Sequence, residues 1–362
     1  MPRAAIVLPP REGFAPGRAG AIGLILGMLA GAGSAFEQVV VGPPQPDLFA
    51  GTAYRAIAWP WWPAPLAIRY AHAVAAELRR LRPAIVEVHN RPELALHLAR
   101  QLGLPVVLVL HNRLDGRQAA LRAELFRRVH VATVSDWLRR DTIGDSPGAN
   151  ATVLPNPIDL ATIPKAGIRA DSILFAGRIV ADKGADAFVA ACARALPCLP
   201  GWTATMIGAD RFGPDSPETP YLARLRADAV AAGVVMEGYR PHTDVLAAMA
   251  GAAIVAVPSR WPEPFGMVAL EAMACGAALA YAPRGGLPEV AGEAGVAIDP
   301  GDPEAMAETL VALARDPARR AALAAAGRAR AARFALPAAM ARLDALRRDV
   351  LAAWSRGHRH PI

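Results

Sequence analysis

The sequence predicts an α/β fold made of two domains, each organised around a parallel β-sheet. The chain has 362 residues, which is enough for two α/β domains. Its hydrophobic fraction of 54% can fill two sizeable cores. Short apolar runs alternate with helical segments along the chain, and this alternation is typical of strand–helix–strand units whose strands are parallel.

The first half contains five apolar runs that we interpret as strands. They lie at residues 4–8, 39–41, 84–88, 106–110 and 129–134. Helical periodicity appears at 70–82 and 93–102, and Ser135 is a good N-cap for a further helix. Gly20 stands where the first helix begins. A glycine there either lets the backbone approach a ligand closely or allows tight strand–helix packing.

Two of these strands end in the same tripeptide, His-Asn-Arg. The first begins at His89, and the second consists of His111, Asn112 and Arg113. Ligands of open α/β sheets bind beyond the carboxyl ends of the strands, so we expect these side chains to line a pocket. His89, Asn112 and Arg113 are assigned to an anionic acceptor. Either histidine could instead be a hydrogen-bonded structural residue at a strand end.

The second half repeats the alternation. Strands are predicted at 172–176, 202–207, 234–237, 254–257 and 278–282, and helices at 186–195, 221–232, 244–249 and 303–333. Arg178 and Lys183 leave the same strand–helix turn, beside glycines. Two cations that converge above a helix N-terminus can clamp a diphosphate. The alternative is a pair of exposed cations.

The most informative stretch runs from Ser259 to Gly276. A strand enters it, proline and glycine break the chain, and a helix starts near Gly266 and ends at Gly276. Glu263 precedes this helix and Glu271 lies inside it. A helix N-terminus suits a phosphate, whereas carboxylates accept hydrogen bonds from sugar hydroxyls. The stretch therefore predicts a site for a sugar attached to a diphosphate. The alternative is an ordinary strand–turn–helix unit with solvent-facing glutamates.

This stretch also carries a resemblance to a known family. The segments that carry it are Glu263-Pro264-Phe265-Gly266 and Leu270-Glu271-Ala272-Met273-Ala274-Cys275-Gly276. They resemble the signature of the family 4 retaining glycosyltransferases, also called group 1 glycosyl transferases. The resemblance implies the GT-B architecture, which has two facing Rossmann-like domains and a final helix that crosses back to the first. It implies an acceptor-binding domain at 1–164, a nucleotide-sugar-binding domain at 165–336, and the returning helix with a tail at 337–362.

The resemblance also implies roles for single residues. Arg178 and Lys183 would neutralise the departing diphosphate, Glu263 would hold sugar hydroxyls, and Glu271 would hold the ribose. His111 occupies the place of a functional histidine near the donor sugar. The predicted catalytic residues are Arg178, Lys183, Glu263 and His111. The predicted donor-binding residues are Gly20, Tyr239, Arg240, Phe265, Gly266, Met267, Val268 and Glu271.

The predicted function is retaining transfer of a hexose or N-acetylhexosamine from a UDP- or GDP-sugar to a glycan or lipid-linked acceptor. A role in bacterial surface polysaccharide or lipopolysaccharide synthesis is the interpretation we favour. The chain has no Asp-x-Asp pair, and two cations can replace a metal, so we expect no metal and no cofactor. A sugar-nucleotide epimerase and a non-catalytic protein on a degenerate scaffold are the alternatives.

Composition and charge bear on partners and location. The formal net charge is +7, and arginine supplies most of it. No recognisable nucleic-acid-binding module accompanies the arginines, so no nucleic acid partner is expected. The arginine blocks are interpreted either as solvated helix faces or as contacts to an anionic membrane surface. They lie at 79–82, 122–128, 139–140, 315–330 and 342–348.

Two further features concern the compartment. The apolar run at 19–35 is too short to span a membrane, lacks a secretory cleavage pattern, and is predicted to be a buried helix. The three cysteines, Cys192, Cys198 and Cys275, form no metal-binding or redox pattern and are expected to be buried. We expect a cytoplasmic protein, with peripheral association at the inner face of the plasma membrane left open.

Overall fold

The chain divides into two compact units. The computed structural model describes residues 1–59, 61–144, 146, 151–165, 167–210 and 218–357. The first unit comprises Met1–Pro157 and Leu336–Ile362, and the second comprises Ile158–Ala335. The first boundary therefore lies earlier in the chain than the predicted one at residue 164, and the second lies one residue earlier than predicted. The physical reason is that the Ile158 amide donates to the Phe334 carbonyl at 2.9 Å, which attaches this segment to the second unit.

The first unit contains a seven-stranded parallel sheet. Its strands are β1 (Arg3–Val7), β2 (Glu37–Gly42), β3 (Tyr54–Ala56), β4 (Ile85–His89), β5 (Val106–Leu110), β6 (His130–Thr133) and β7 (Ala151–Val153). They are arranged in the order β3-β2-β1-β4-β5-β6-β7, and every neighbouring pair is parallel. The central strands β4 and β5 are buried along their whole length, as expected for a parallel sheet covered on both faces.

Seven helices of the described residues accompany this sheet. They are α1 (Ala21–Gly31), α2 (Leu66–Leu81), α3 (Pro92–Leu102), α4 (Gly116–Ala119), α5 (Arg122–Arg128), α6 (Asp136–Ile143) and α14 (Leu336–Gly357). The last of these confirms the expected returning helix. Asp344 on α14 accepts hydrogen bonds from the Ser34 hydroxyl at 2.8 Å and from the Ala35 amide at 2.7 Å. The predicted tail around Arg359 and His360 lies outside the described residues.

The second unit contains a six-stranded parallel sheet. Its strands are β8 (Ala170–Ala176), β9 (Thr203–Ile207), β10 (Val234–Gly238), β11 (Ala252–Val257), β12 (Ala278–Tyr281) and β13 (Gly295–Ala297). The order is β10-β9-β8-β11-β12-β13, again with parallel neighbours throughout. In both sheets the strand order thus reverses next to the first strand of the sheet, while all strands stay parallel. This is the topology of the doubly wound Rossmann fold.

Helices cover both faces of the second sheet. They are α7 (Ala185–Ala195), α8 (Pro220–Ala231), α9 (His242–Gly251), α10 (Met267–Cys275), α11 (Leu287–Ala291), α12 (Pro303–Arg315) and α13 (Pro317–Ala332), with 3₁₀ turns at Leu160–Thr162, Ala181–Lys183 and Leu196–Cys198. The core between them is rich in alanine, with Phe188, Met206 and Leu310 as larger members. Most of the predicted 210–219 loop lies outside the described residues.

One member of the last arginine block differs from the expectation of a solvated face. Arg347 on α14 is fully buried. Its Nε donates to Glu87 Oε1 at 2.5 Å, and one of its terminal nitrogens donates to Asp344 Oδ1 at 3.0 Å. Neither solvent nor a lipid headgroup can be its partner, because its charge is already paired inside the first unit. The interpretation of the block as a surface is therefore wrong at this position.

Two of the three cysteines and part of the first helix are buried. Cys192 and Cys275 are buried as predicted, but Cys198 is exposed at the end of its 3₁₀ turn. The apolar run at 19–35 forms α1, which is partly buried along one face. Across the described ranges, none of the helices combines the length and the apolar character needed to cross a bilayer.

Candidate functional site

The strongest site features of the second unit gather where β8 and β11 lie side by side. These strands are adjacent although many residues separate them in the chain. This is the point at which the strand order reverses, and such a switch point leaves a crevice at the carboxyl ends of the strands. The loop after β8 carries Arg178 and Lys183, and the loop after β11 carries Glu263. The topology therefore brings the predicted diphosphate and sugar residues to one edge of the sheet.

Lys183 and Glu263 are in direct contact at this edge. Lys183 Nζ lies 2.5 Å from Glu263 Oε1, and the Ser259 hydroxyl donates to the same oxygen at 2.8 Å. The side chains of the lysine and the glutamate are only 25% and 13% exposed. Charge-assisted hydrogen bonds of this kind fix both side chains in direction. The sequence placed both residues in the site but did not predict that they pair with each other.

Backbone hydrogen bonds also join the loop after β8 to the loop after β11. The Asp182 carbonyl accepts from the amides of Arg260 and Trp261 at 2.8 and 2.9 Å. The Arg260 guanidinium also donates two hydrogen bonds to the Asp186 carboxylate, at 2.6 and 2.9 Å. Gly184 has a φ of +71°, and a Cβ there would approach the Pro258 carbonyl oxygen to 1.9 Å. Only glycine fits at this crossing, so the crossing sets the position of Lys183.

Glu263 is held from its other side by a pair of glycines. The Gly286 amide donates to the Glu263 carbonyl at 2.6 Å. A Cβ at Gly285 would lie 2.3 Å from that carbonyl oxygen, so a larger residue would push this turn away. The Gly-Gly turn therefore fixes the backbone from which the Glu263 carboxylate projects.

The start of α10 has the features of an anion site. Gly266 is its N-cap with a φ of +107°, and no side chain among the described residues caps the helix start. Met267 and Val268, the first helical residues, are half-buried. Unpaired amides and the helix dipole favour a negatively charged group at such a terminus. Phe265 is different, because its ring is buried against Phe334 at 5.7 Å, so it can serve a ligand only through its backbone.

Glu271 lies inside α10 and is engaged by a histidine that the motif did not indicate. His242 Nε2 lies 2.8 Å from Glu271 Oε1. This hydrogen bond raises the pKa of His242 above its ordinary value. A carboxylate has two oxygens and about four lone pairs, so the second oxygen can still accept from a ligand hydroxyl.

The His242–Glu271 pair predicts a pH dependence of stability. Because the pKa of His242 is higher in the folded state, the pair stabilises fully below the unfolded pKa of 6.5, and this contribution is lost as pH rises through the folded pKa. We expect His242→Gln to reduce the free energy of unfolding more at about pH 6 than at about pH 9. Urea denaturation at both pH values measures this difference. The difference should vanish in a Glu271→Gln background, and an equal loss at both pH values would contradict the prediction.

The remaining predicted residues of the second unit lie in two turns. Arg178 is half-buried in the turn directly after β8. Tyr239 is half-buried after β10, and Arg240 beside it is exposed and pairs with Glu237 at 3.2 Å. These turns also follow carboxyl ends of strands, so their placement is compatible with a donor site. The roles of the three residues stay predictions.

In the first unit, the two predicted histidines come together. His89 Nδ1 lies 3.0 Å from His111 Nε2, and both side chains are buried. Asn90, which has a φ of +56°, accepts through Oδ1 from the amides of His111 and Asn112 at 3.3 and 3.1 Å. This link ties the ends of β4 and β5 to each other. The histidine pair therefore sits at the carboxyl edge of the first sheet.

The other predicted residues of this unit have partners of their own. Arg113 pairs with Asp141 at 2.7 Å. Gly20 is the N-cap of α1, but the carboxylate of Glu12 already accepts from the Gly23 amide at 3.0 Å. A carboxylate at this helix terminus occupies the place that a phosphate would take. The suggested contact of Gly20 with a donor phosphate is therefore not favoured by this geometry.

Several contributing residues were missed by sequence reasoning. Ser259, Arg260 and Asp186 fix the two loops, and His242 holds Glu271. Ser259 and Arg260 open the stretch that carries the motif, so their position was a usable signal. Asp186 and His242 carry no pattern of their own, because their partners lie far away in the chain.

Comparison with known proteins is consistent with this geometry. A family model described as "Glycosyl transferases group 1" matches residues 170–316, and one described as "Glycosyltransferase Family 4" matches residues 29–162. The chain is similar to the glycogen synthase of Mycobacterium tuberculosis, with 32% identity over 283 residues that cover 70% of this chain and 64% of that protein. It is also similar to the D-inositol 3-phosphate glycosyltransferase of Thermobispora bispora, with 33% identity over 78% of this chain and 64% of that protein. The chain thus spans somewhat less than two thirds of the length of these relatives.

Solved structures share the fold. The crystal structure of Anabaena Alr3699/HepE in complex with UDP and glucose superposes with a TM-score of 0.77 and 20% identity, covering 96% of this chain and 99% of that one. WaaG, a glycosyltransferase involved in lipopolysaccharide biosynthesis, superposes with a TM-score of 0.68 and 16% identity, covering 95% of this chain and 99% of that one. Both halves of the chain match models of one family and the fold is the GT-B fold, so the chain belongs to glycosyltransferase family 4.

Proposed function

We propose that this chain is a retaining glycosyltransferase that moves a hexose or N-acetylhexosamine from a UDP- or GDP-sugar to a glycan or lipid-linked acceptor. The observation that carries the proposal is the contact between Lys183 and Glu263 at the switch point of the second sheet. The uncapped start of α10 follows on the same loop. A cation, a helix terminus and a hydroxyl-binding carboxylate are the three groups that a sugar diphosphate requires.

The chemistry follows from the charge that develops in the reaction. When the bond between the sugar and the diphosphate breaks, negative charge grows on the departing phosphate oxygen. Lys183, Arg178 and the first amides of α10 would stabilise this charge, and such fixed groups act most strongly in the transition state. Because the protein itself supplies these cations, we propose that no metal is needed. We propose that the acceptor attacks the sugar from the same face that the diphosphate leaves. No protein nucleophile is therefore assigned.

The two glutamates would orient the rest of the donor. Glu263 is fixed by Lys183, Ser259 and the glycine turn, so its second oxygen is available in a defined direction for sugar hydroxyls. Glu271 keeps one oxygen on His242 and can offer the other to the ribose. Fixed acceptors of this kind hold the reacting atoms in a productive arrangement.

We propose that the first unit binds an anionic or lipid-linked acceptor. Glu124 is shared by Arg100 and Arg128, at 2.6 and 2.8 Å. Because this carboxylate serves two guanidinium groups, the cluster keeps a net positive charge. Such a surface suits phosphate-bearing acceptors, including precursors of bacterial surface polysaccharide or lipopolysaccharide.

The donor site is tested by ligand-dependent melting in buffer that contains EDTA. We expect one nucleoside diphosphate, UDP or GDP, to stabilise the protein by about 2.7 kcal/mol at a concentration one hundred times its Kd. Glu271→Gln should lose most of this stabilisation because the ribose loses its acceptor. Glu308→Gln, which changes an exposed carboxylate on α12, is the matched control and should keep it. Stabilisation by no nucleotide in the wild type would contradict the proposal, and stabilisation only with added divalent metal would contradict its metal independence.

A further inference from the structure

A cavity of the second unit lies at the amino ends of its strands. Its volume is about 310 Å³, and its lining includes Asp171, Ala253 and Ala278, which stand at the beginning of β8, β11 and β12. Lys183 and Glu263 follow the carboxyl ends of these parallel strands, so the cavity lies at the opposite edge of the sheet. Ligand pockets measure roughly 300–1,000 Å³, so this space suits a small molecule.

Three guanidinium groups line the cavity, those of Arg169, Arg320 and Arg328. Arg320 and Arg328 lie on α13 with Ala324 halfway between them, and helical residues four apart lie on the same face. Arg169 reaches the same space from the segment before β8. Asp171 is the acidic residue of the lining, but its side chain is 63% exposed and lies 3.9 Å from Arg320, beyond hydrogen-bonding distance. The lining therefore keeps an excess of positive charge.

Two of these arginines are fixed by backbone carbonyls at helix ends. Arg169 donates to the Ala252 carbonyl after α9 at 2.8 Å and to the Cys275 carbonyl, at the end of α10, at 2.5 Å. Arg320 donates to the Leu313 carbonyl in the last turn of α12 at 2.8 Å. These bonds explain why both side chains lie where they do. A guanidinium carries five N–H donors, so each of the two retains donors for a ligand.

Arg328 has no comparable structural role. Over the ranges of the chain that the structure describes, its side chain makes neither a hydrogen bond nor an ion pair. It lies instead beside Arg169, because Arg328 Nη1 and Arg169 Nη2 are 2.2 and 3.0 Å from the place that a Cβ of Gly276 would occupy. Burial, and then the charge of Arg328, lower the pKa of Arg169. Two cations held side by side repel each other, and an anion bound to both would replace this repulsion by attraction.

We propose that this cavity binds a phosphate monoester, with Arg328 as its main ligand and with Arg169 and Arg320 beside it. Guanidinium groups match phosphate oxygens in geometry and can donate two parallel hydrogen bonds to them. Three arginines and one aspartate give the lining an excess of positive charge that matches the charge of about −1.5 to −2 on such a group at neutral pH. None of the three arginines belongs to the candidate donor site, so this binding does not require the proposed function.

Isothermal titration calorimetry at constant ionic strength, with inorganic phosphate and with glycerol 3-phosphate, measures this binding. We expect Arg328→Gln to weaken the binding of both about tenfold or more, because charge-assisted hydrogen bonds are lost. The fold should tolerate this change, since Arg328 has no partner among the described residues. Arg319→Gln is the matched control on α13, because Arg319 is exposed and does not line the cavity. It should bind phosphate as the wild type does.

A second variant fills the site from within the chain. Ala324→Glu places a carboxylate four residues from both Arg320 and Arg328, on the same face of α13, where it can pair with either. This internal anion should compete with phosphate and weaken its binding at least tenfold. Ala322→Glu makes the same change at an exposed position on the other side of the helix and should keep the binding.

The source of the phosphate group is decided by a further arm. Glycerol 3-phosphate is also the headgroup of phosphatidic acid, so sedimentation with phosphatidylcholine vesicles, with and without phosphatidic acid, separates a membrane-borne ligand from a soluble one. Binding to phosphatidic acid vesicles that is lost in Arg328→Gln, without binding of glycerol 3-phosphate in solution, would assign the cavity to a lipid headgroup.

Three results would overturn the proposed phosphate site. The first is a wild type that binds neither the soluble phosphates nor the phosphatidic acid vesicles. The second is unchanged affinity in Arg328→Gln or in Ala324→Glu. The third is phosphate binding that is lost in Lys183→Ala and kept in Arg328→Gln, because the anion would then lie at the carboxyl edge of the sheet.

Discussion

Replacing Arg347 by methionine is expected to lower the free energy of unfolding by about 3–5 kcal/mol, because the change leaves Glu87 charged and buried without its partner. Methionine preserves much of the volume and the flexible stem of the arginine. The loss is therefore that of a charge rather than of packing. Chemical denaturation followed by circular dichroism measures it.

The chain offers a matched control on the same helix. Arg348 is the next residue of α14 and is exposed, so Arg348→Met should change the free energy of unfolding only slightly. The double variant Glu87→Gln with Arg347→Met should recover much of the loss, because no unpaired charge then remains at Glu87. Asp344 keeps its bonds to Ser34 and Ala35 in that background. Equal effects of Arg347→Met and Arg348→Met would show that the buried pair does not stabilise the unit.

The lowered pKa of Glu87 predicts how the destabilisation by Arg347→Met changes with pH. Because the folded pKa of about 2 lies below the ordinary 4.5, the pair stabilises fully above the unfolded pKa and loses this contribution as pH falls through the folded value. In Arg347→Met the carboxyl can relieve its isolation by taking up a proton. The difference between wild type and variant should therefore be largest near neutral pH and shrink in acid.

The same helix shows what sequence reasoning could and could not reach. The existence of α14 and its return to the first unit were predicted from the resemblance and are confirmed. The burial of Arg347 was not predicted. Arg342, Arg347 and Arg348 are chemically identical in the sequence, and only the fold decides which one faces Glu87. A charge partner 260 residues away leaves no local pattern.

The strands divide in a similar way. The long apolar runs that form β5 and β11 were predicted to within two residues, because five or six consecutive buried residues leave a clear signal. The three short edge strands β3, β7 and β13 were missed. Each has three residues, which is too few to show a period. Such strands are set by the neighbour they pair with rather than by their own composition.

Within the site, the motif located single residues and the fold supplied their relations. Gly266 and Gly276 were predicted as the limits of α10, and both adopt the left-handed conformation that favours glycine. Lys183 and Glu263 were each assigned separately. Their contact, across 80 residues, depends on the adjacency of β8 and β11 and could not be read from either segment.

Replacing Lys183 by alanine is expected to lower kcat for glycosyl transfer about a hundredfold, since one preformed electrostatic group of the transition state is lost. The stability of the fold should change much less, because Glu263 is partly exposed and keeps the hydroxyl of Ser259 as a partner. Turnover of the nucleotide sugar identified by melting, measured as release of the nucleoside diphosphate, gives the rate.

The second lysine of the chain provides the control for Lys183→Ala. The chain contains two lysines, Lys165 and Lys183, and Lys165 is exposed near the start of the second unit. Lys165→Ala makes the same chemical change away from the switch point and should leave kcat unaltered. Lys183→Arg keeps the charge but replaces a compact ammonium by a planar fork that cannot take the same place beside Glu263, so we expect it to restore only part of the rate. If Lys183→Ala and Lys165→Ala turn over the donor equally well, the positive charge at the end of β8 does not act on the leaving diphosphate, and the mechanism would have to depend on Arg178 and the α10 terminus instead.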